Sequence, residues 1–473
     1  MPRAPAAAGV SACDYQRDYP GLNGFRTRRF GRRRNHEAQR DVRLEPIVKR
    51  LAGGRMGMAI SLGLLVGVVV SALFGVFPNL RATGTALNAG ASSFPPDANA
   101  VALAAGLAAT PPMGWNGYNR YYLHVTARMV EAEASALVRT GMKAAGYAYV
   151  NIDGGWDLST RSESGALQPD PARFPDGIKP VADYVHSLGL KFGIYASAGT
   201  MNCAATTAGS YGHYRQDTAT FASWGVDYIK FDWCYIPMRS YPHMTERQVS
   251  QVLSTEMAGA IAASGRPMLY DVNDAYDKPW TWSVQLAAMW RTSNDIKDHY
   301  RSLLYNFQHD VGYHLLARPG HWNDPDMLEI GNGGLSYGEE KAQFSLWAEM
   351  AAPLIAGNDV RNMTPLTRSI LTNLAVIAVD QDRLGRQGYP VATAGGHWVL
   401  TKPLVNGDRA VVLFNATSKQ VTISTTVARI GLTGSSSYSL LNLWSGLTSK
   451  TSGVITANLP PHSVVMYDVA PLG

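Results

Sequence analysis

The chain has 473 residues, 46% of them hydrophobic and 10% aromatic, which is enough for two or three packed domains. Its net charge of +6 is unevenly distributed: residues 1–55 carry 13 Lys/Arg against 5 Asp/Glu, whereas residues 56–473 carry 29 against 31. The folded part is therefore close to neutral. The basic isoelectric point is therefore no evidence for binding to nucleic acid, and we expect no nucleic-acid partner.

Three segments precede the first predicted strand. Residues 1–55 are Arg-rich and lack apolar periodicity, so we predict a basic, disordered leader. Residues 56–80 contain no charged side chain and lie between Arg55 and Arg81, which is typical of the apolar part of a signal peptide or of a membrane anchor. Residues 81–108 are rich in Ala, Gly, Ser and Pro and are predicted to be a linker.

The interpretation of residues 56–80 depends on where translation starts. A start at Met56 or Met58 favours a signal peptide, and a start at Met1 favours an uncleaved anchor. Both interpretations export the rest of the chain. We therefore expect a secreted protein, or a membrane-anchored one whose folded part lies outside and which meets the membrane only through residues 56–80.

Three cysteines are present in the chain. Cys13 lies in the basic leader, which leaves Cys203 and Cys234 as one pair. In an exported protein this pair could close a disulfide.

From Thr110 onward, short apolar strands alternate with amphipathic helices. The predicted strands are Met113–Asn116, Ala148–Asp153, Lys191–Ala196, Val226–Asp232, Pro267–Asn273, Ala288–Asn294, His321–Met327 and Pro353–Asp359. The predicted helices are Ala127–Ala144, Ile178–Leu188, Thr218–Trp224, Thr245–Ala263, Gly338–Met350 and Thr367–Leu374. This alternation predicts a (β/α)8 TIM barrel over residues 109–387. A doubly wound open sheet is the alternative, but no Gly-rich phosphate loop follows the first strand.

The pattern changes near Gly388, where the helices stop. Short runs with β-branched residues, separated by Gly, Asn and Ser, continue to the end of the chain. We predict a C-terminal antiparallel β-sandwich over residues 388–473.

Polar side chains recur where the predicted barrel strands end. They are Asp153, Tyr195, Lys230, Asp232, Asp271, Asn273, Arg291, Asp295, Asp324 and Asp326. A single strand-end Asp often caps a loop, and Lys230 with Asp232 is also compatible with a simple salt bridge. Because the carboxyl ends of barrel strands meet on one rim, and uncompensated like charges would destabilise it, their convergence favours a functional site.

The residue types restrict the chemistry of this site. No His/Cys cluster has zinc spacing, and no Gly-x-Ser-x-Gly elbow is present. Asp324 and Asp326 are the best candidates for a Mg²⁺ or Ca²⁺ site, but the interleaved Trp, Tyr, Lys and Arg suit a neutral, hydroxyl-rich ligand better. Paired carboxylates without a metal are the apparatus of glycoside hydrolysis.

Several motifs together resemble glycoside hydrolase family 27, the melibiase-type α-galactosidases and α-N-acetylgalactosaminidases. The motifs begin at Thr110 (TPPMGWN), Tyr149 (YVNID), Lys191 (KFGIY), Gly225 (GVDYIKFD), Trp290 (WRTSNDI), Trp322 (WNDPDML), Leu346 (LWAEMAAPL), Gly357 (GNDVR) and Val379 (VDQDRLG). The resemblance runs in order from Thr110 to the C-terminus, and the sandwich matches only in type.

This resemblance implies a retaining double displacement on an oligosaccharide, polysaccharide or simple glycoside, without a metal or cofactor. Asp232 matches the nucleophile and Asp295 the acid/base, while Cys203 and Cys234 match a disulfide beside the nucleophile. The expected sugar-binding residues are Asp153, Tyr195, Lys230, Asn273, Arg291, Asp326, Trp115 and Tyr118. Lys230 and Arg291 are expected to keep Asp232 ionised, and Asp295 is expected to have a raised pKa.

The chain departs from the family pattern at three positions. Gly154 follows Asp153 where the family has a second acidic residue, Asn273 replaces a Glu of the galactosidases, and Tyr118 stands where Trp is common. A lost acceptor can change discrimination by orders of magnitude. The alternatives are therefore the same chemistry on another sugar, as in isomaltose-releasing dextranases or β-L-arabinopyranosidases, or a non-catalytic sugar-binding protein.

Overall fold

The computed structural model describes residues 106–472. The predicted leader, the apolar segment 56–80, nearly all of the linker and Cys13 lie outside the described residues. Within residues 106–472, no helix is both long and apolar enough to cross a membrane.

Eight short parallel strands form the first sheet. They are β1 (Met113–Asn116), β2 (Tyr149–Ile152), β3 (Lys191–Ser197), β4 (Tyr228–Asp232), β5 (Leu269–Asn273), β6 (Met289–Arg291), β7 (Trp322–Asp324) and β8 (Leu354–Ala356). Their spatial order is β7-β6-β5-β4-β3-β2-β1-β8, and a parallel bridge between Leu328 and Ala356 joins the segment after β7 to β8. A doubly wound sheet would not bring its first and last strands together. The predicted (β/α)8 architecture is confirmed.

Helices follow most of these strands. They are α1 (Tyr118–Tyr121), α2 (Ala127–Arg139), α3 (Lys179–Ser187), α4 (Tyr214–Trp224), α5 (Glu246–Ala263), α6 (Tyr300–Asp310), α7 (Tyr337–Met350), α8 (Pro365–Leu371) and α9 (Leu374–Asp380). Local chemistry sets several ends. Thr245 with Gln248 and Ser336 with Glu339 form capping boxes at α5 and α7. Gly225 ends α4 in the left-handed conformation, at φ +83°, directly before β4.

The structure differs from the predicted helices at several points: α2 ends at Arg139 and α4 starts at Tyr214. Helix α6 was missed because two of its buried residues, Asn306 and Asp310, are polar, so its buried face is not apolar throughout. The helix predicted over Thr367–Leu374 is α8, which ends at Leu371. Helix α9 was not predicted; it starts where the Asn373 side chain accepts hydrogen bonds from the backbone of Ala375 and Val376.

The C-terminal part is antiparallel and has a hydrophobic core of its own. Its strands are β9 (Tyr389–Ala394), β10 (His397–Pro403), β11 (Arg409–Asn415), β12 (Val421–Thr426), β13 (Ser437–Asn442), β14 (Thr448–Thr451), β15 (Val454–Leu459) and β16 (Ser463–Leu472). Six of them form one sheet in the order β14-β13-β16-β11-β10-β9, and β12 pairs with β15. Val411, Ile423 and Ile455 pack between the two layers. This is the predicted β-sandwich.

Candidate active site

Strand β4 places two polar side chains on one face. Side chains alternate along a strand, so Lys230 and Asp232 point to the same side. The parallel register sets Lys230 beside Tyr195 of β3 and Asp271 of β5, and Asp232 beside Asn273. The strand-end residues predicted from sequence on three consecutive strands are therefore neighbours in space.

Asp232 is buried at the end of β4, with 8% of its surface exposed. Its Oδ1 accepts a hydrogen bond from Asn273 Nδ2 and lies 3.7 Å from Lys230 Nζ. Its Oδ2 lies 3.3 Å from Cys203 Sγ. Burial raises the pKa of Asp232 to about 6, although Lys230 opposes the shift.

A disulfide lies against this carboxylate. Cys203 and Cys234 are bonded, with their Cα atoms 5.0 Å apart, and they join the loops after β3 and β4. The Cys203 backbone N–H donates to the hydroxyl of Tyr195 at 3.2 Å, which places that ring beside the site. The pairing implied by the family resemblance is confirmed.

Lys230 is the centre of the second group of contacts. Its Nζ lies 2.9 Å from Asp153 Oδ2 and 5.6 Å from the ring centres of both Tyr118 and Tyr195. Burial opposes the ammonium charge, but Asp153 and Asp232 outweigh it and raise the pKa of Lys230. The ammonium group thus joins the ends of β2 and β4 and stays charged at neutral pH.

Asn116 completes the environment of Asp153 and was missed from sequence. Its Nδ2 donates to Asp153 Oδ2 at 2.9 Å. The signal was available, because Asn116 ends β1 and the strand-end rule applied to the other strands applies equally to this one.

Arg291 gathers three carboxylates at the end of β6. Its Nη1 lies 3.0 Å from Asp295 Oδ1 and 2.9 Å from Asp326 Oδ2, and its Nε lies 3.5 Å from Asp324 Oδ2. The guanidinium therefore occupies the space beside Asp324 and Asp326 that a divalent cation would need. Residues 106–472 contain no group of three or more His, Cys, Asp or Glu placed to hold a metal ion.

Asp295 differs from the other carboxylates in its exposure. Its side chain is 80% exposed, whereas that of Arg291 is 4% exposed. Desolvation acts to raise the pKa of Asp295, but Arg291 and Lys230 outweigh it, and the net shift is downward.

The raised pKa lies on Asp232 and the lowered one on Asp295, which is the reverse of the order expected from sequence. Burial dominates at Asp232, and the ion pair with Arg291 dominates at Asp295. Asp295 has the lower pKa because the Arg291 guanidinium contacts it and not Asp232. The pattern of polar residues at the strand ends does not predict this contact.

Asp326 adopts a strained backbone conformation, at φ +80°. Its carboxylate accepts hydrogen bonds from the backbone of Ile296 at 2.8 Å and Met327 at 2.7 Å, in addition to its ion pair with Arg291. Non-glycine residues with positive φ persist where surrounding contacts fix them, often at functional sites. Here three contacts fix the carboxylate of Asp326 under Arg291.

The prediction that Trp115 contacts the sugar is wrong. Its side chain is 0% exposed, and its Nε1 donates to the backbone oxygen of Asn358 at 2.8 Å. Trp115 lies on the face of β1 that packs into the core. Tyr118, which is partly exposed and faces Lys230, is the aromatic residue of this segment that reaches the site.

The two glycines after Asp153 differ in their structural requirement. A Cβ at Gly155 would lie 2.7 Å from the Leu123 backbone oxygen, and φ there is +94°. A Cβ at Gly154 would make ordinary contacts, 3.6 Å to Leu123 and 3.7 Å to Tyr195 and Asn202. The backbone therefore requires Gly155, whereas the absence of a side chain at Gly154 changes the surface offered to a ligand.

Comparison with known proteins gives a consistent result. Residues 110–382 match the family described as Alpha galactosidase A, and residues 394–469 match the Alpha galactosidase C-terminal beta sandwich domain. An α-galactosidase of Oryza sativa subsp. japonica is 42% identical over 367 residues, covering 77% of this chain and 86% of the rice protein.

Solved structures extend the comparison to the fold. α-Galactosidase I from Mortierella vinacea superposes with a TM-score of 0.74 at 34% identity, covering 78% of this chain and 99% of that one. A β-L-arabinopyranosidase from Geobacillus stearothermophilus superposes with a TM-score of 0.70 at 26% identity, covering 78% and 98%.

Proposed function

Since this chain belongs to glycoside hydrolase family 27, the melibiase-type α-galactosidases, we propose that it cleaves terminal α-galactosyl residues with Asp232 and Asp295 as the reacting carboxyls. The chain is a glycoside hydrolase of the α-galactosidase type, acting on a glycoside or oligosaccharide. The observation that carries the residue assignment is the contrast between a buried carboxylate fixed by Asn273 and an exposed one held by Arg291.

Asp232 is the nucleophile in this proposal. Asn273 and Lys230 hold its Oδ1, which leaves the second oxygen to attack the anomeric carbon. With a pKa of about 6, the carboxylate is mostly ionised at neutral pH. The attack forms a covalent glycosyl-enzyme as the bond to the glycosidic oxygen breaks.

Asp295 donates the proton to that departing oxygen. Arg291 holds its pKa low, so a bound sugar has to shift the balance. A sugar that covers the exposed carboxylate removes its water and favours the neutral form, which is the direction a general acid needs. In the second step Asp295 takes a proton from the water that hydrolyses the intermediate, so the anomeric configuration is retained.

The remaining contacts position the sugar ring. Asp153 and Lys230 are paired at 2.9 Å and together present an acceptor and a donor for neighbouring hydroxyl groups. Tyr118 and Tyr195 flank the ammonium group, and Tyr118 is the more exposed of the two. Arg291 and Asp326 complete the polar wall on the side of Asp295. No cofactor enters any of these steps.

A second sugar specificity is supported by Gly154. The second acceptor of the family is missing there, although the backbone has room for a side chain. The similarity to a solved β-L-arabinopyranosidase makes β-L-arabinopyranosides the alternative substrate class, with isomaltose release from dextran as another. A non-catalytic sugar-binding role is disfavoured because both carboxylates are retained.

The location proposed for the enzyme is outside the cytoplasm, either secreted after cleavage of residues 56–80 or anchored by them. The Cys203–Cys234 disulfide supports export, because such bonds persist in oxidising compartments.

A side-by-side assay tests the function. Aryl α-galactoside, α-glucoside, α-N-acetylgalactosaminide and β-L-arabinopyranoside are compared for the wild type, Asp232→Ala and Asp295→Ala. We expect the α-galactoside to be cleaved with retention, seen by NMR of the first-formed anomer, and Asp232→Ala to lose on the order of 10³-fold or more of kcat. Variants that stay within tenfold of the wild type, or an inverted product, would refute the assignment.

A further inference from the structure

A small cavity lies at the ends of the barrel strands, where Lys230 and Asp326 of the proposed sugar site also line it. It has a volume of about 20 Å³ and is lined by inward-facing side chains of several strands, among them Asn151 of β2, Asp271 of β5 and Arg291 of β6. A water molecule needs roughly 10–15 Å³ of such volume. The cavity is therefore large enough for one water and too small for a sugar.

Three buried polar atoms on its lining residues make no hydrogen bond within the protein. They are Asn151 Oδ1, Asp271 Oδ1 and Arg291 Nε. All three residues are nearly inaccessible, at 2%, 2% and 3% exposure. Leaving such groups unpaired costs roughly 1–3 kcal/mol each. One donor and two acceptors around a cavity of this size are the partners that a single buried water takes.

We propose that this cavity binds one structural water that joins Arg291 Nε to Asp271 Oδ1 and Asn151 Oδ1, and that Asp271 is thereby a positioning residue for Arg291. The water accepts a hydrogen bond from Arg291 Nε and donates one to Asn151 Oδ1. It forms its third hydrogen bond with the Asp271 carboxyl group at Oδ1. This inference rests on the proposed function, because the effect on proton transfer passes from Arg291 to Asp295 through their ion pair at 3.0 Å.

The arrangement explains how Arg291 is oriented. Its Nη1 is shared by Asp295 and Asp326, so a contact at Nε would fix the rotation of the guanidinium from its other edge. Asp324 Oδ2 lies 3.5 Å from Nε, which is an ion-pair distance rather than a hydrogen bond of normal length. The water supplies the missing contact.

Asp271 suits this role because it remains largely neutral. Its Oδ2 accepts a hydrogen bond from Tyr228 at 2.8 Å, and Asp324, Arg291 and Lys230 are the charged groups around it. Burial, reinforced by Asp324, raises the pKa of Asp271 to about 8 against the effect of Arg291. A neutral Asp271 therefore does not compete with Asp295, Asp324 and Asp326 for the positive charge of Arg291.

The first test is a crystal structure of the wild-type enzyme at a resolution that shows ordered water. We expect one full-occupancy water within hydrogen-bond distance of Asn151 Oδ1, Asp271 Oδ1 and Arg291 Nε. An empty cavity, or side chains that close it, would overturn the proposal whatever the enzyme's activity. This outcome is independent of the assignment of Asp295.

The second test uses the dependence on the leaving group. Asp271→Leu removes the hydrogen-bonding group that the water contacts. Asp271→Asn keeps such a group but cannot ionise. Loss of the water loosens Arg291 and misplaces Asp295, so kcat/KM of Asp271→Leu should fall tenfold or more for methyl α-galactoside and less than threefold for the dinitrophenyl α-galactoside, whose departure needs no proton. Asp271→Asn should stay close to the wild type for both substrates.

The matched control is Asp380→Asn, at another fully buried aspartate, outside the cavity lining, whose pKa burial also raises to about 8. It should show no difference between the two substrates. Equal losses of Asp271→Leu on both substrates would indicate a structural role only and overturn the positioning role. If Asp295→Ala itself shows no dependence on the leaving group, the proposed function fails instead. Should Asp271→Leu not fold, the wild-type crystal structure decides.

Discussion

The side-chain amide of Asn273 donates a hydrogen bond to Asp232 Oδ1, the oxygen that also lies 3.7 Å from Lys230 Nζ. Two donors therefore converge on one oxygen of the proposed nucleophile. Both favour the ionised carboxylate, yet burial still raises the pKa of Asp232 to about 6. Asn273, one of the three positions where this chain departs from the family pattern, is thus in direct contact with the proposed reacting group.

Wild-type kcat/KM should fall on the acid side of about pH 6. Asp232 has to be ionised to attack, and below its pKa the ionised fraction falls tenfold per pH unit. A pH profile of kcat/KM measured between pH 4 and 8 checks this. A profile that is flat down to about pH 4 would mean that Asp232 does not limit the reaction.

Asn273→Ala should move this acid limb to higher pH. The variant loses a donor to the ionised carboxylate, so the neutral form is favoured and the pKa of Asp232 rises. We expect activity to fall about tenfold at pH 5 and much less at pH 8. Asn273→Asp serves as the comparison, since a second negative charge should shift the limb further in the same direction. A shift to lower pH in either variant would contradict the contact.

Gly154→Asp should change the choice of sugar. The backbone there is not left-handed and a Cβ meets its nearest neighbours at 3.6–3.7 Å, so a carboxylate can be introduced beside Asp153. An added acceptor for a sugar hydroxyl is expected to change the ratio of α-galactoside to β-L-arabinopyranoside activity by roughly tenfold or more.

Gly154→Ala is the matched control for that substitution. It adds the Cβ without the acceptor and should leave the ratio of the two activities unchanged. Its melting temperature should match or slightly exceed that of the wild type, because the unfolded chain loses flexibility. If both variants change specificity alike, bulk rather than hydrogen bonding at this position selects the sugar.

Removing the disulfide with Cys203→Ser and Cys234→Ser together should destabilise the protein. The bond closes a loop with a sequence separation of 31, for which the chain-entropy account predicts roughly 3–4 kcal/mol. The double variant should melt several degrees lower and lose activity, because Cys203 packs against Asp232. Thermal unfolding with and without reductant measures the effect, and Cys13→Ser is the control. A reductant-insensitive wild type would contradict the prediction.

Stability should decrease as the pH rises between about 5 and 8, in part through Glu349. Both of its carboxyl oxygens are buried without a hydrogen bond, and burial raises its pKa to about 8 despite Lys402. The folded state then holds a proton that the unfolded chain releases above about pH 4.5, so the free energy of unfolding falls with pH across this window.

Glu349→Gln removes this titration and keeps the shape of the side chain. Its melting temperature should therefore depend less on pH than that of the wild type over the same range. Glu163→Gln, on the exposed loop after β2, is the control, because it makes the same chemical change at a residue that is not buried. A pH dependence that is unchanged in Glu349→Gln would show that this carboxyl does not titrate in the window.

Much of the fold and the site was predictable from local pattern. Buried strands alternating with helices indicated the barrel, and each of the eight strands lies within or close to its predicted range. Because parallel strands end on one rim, the residues after Ile152, Phe231 and Trp290 had to converge, whatever the details of packing. Helix α6 was not predicted because polar Asn306 and Asp310 share its buried face with Leu303 and Phe307.

What the sequence by itself determined is which residues stand at the strand ends, since strand alternation and barrel closure follow from the order of residue types. The tertiary structure alone decided three further points: that Trp115 is buried, that Asn116 supports Asp153, and that Arg291 pairs with Asp295 and sets the order of the two pKa values. The reason is physical. Burial and ion pairing act through space between residues far apart in the chain, and their balance depends on distances of a few ångströms that no local pattern encodes.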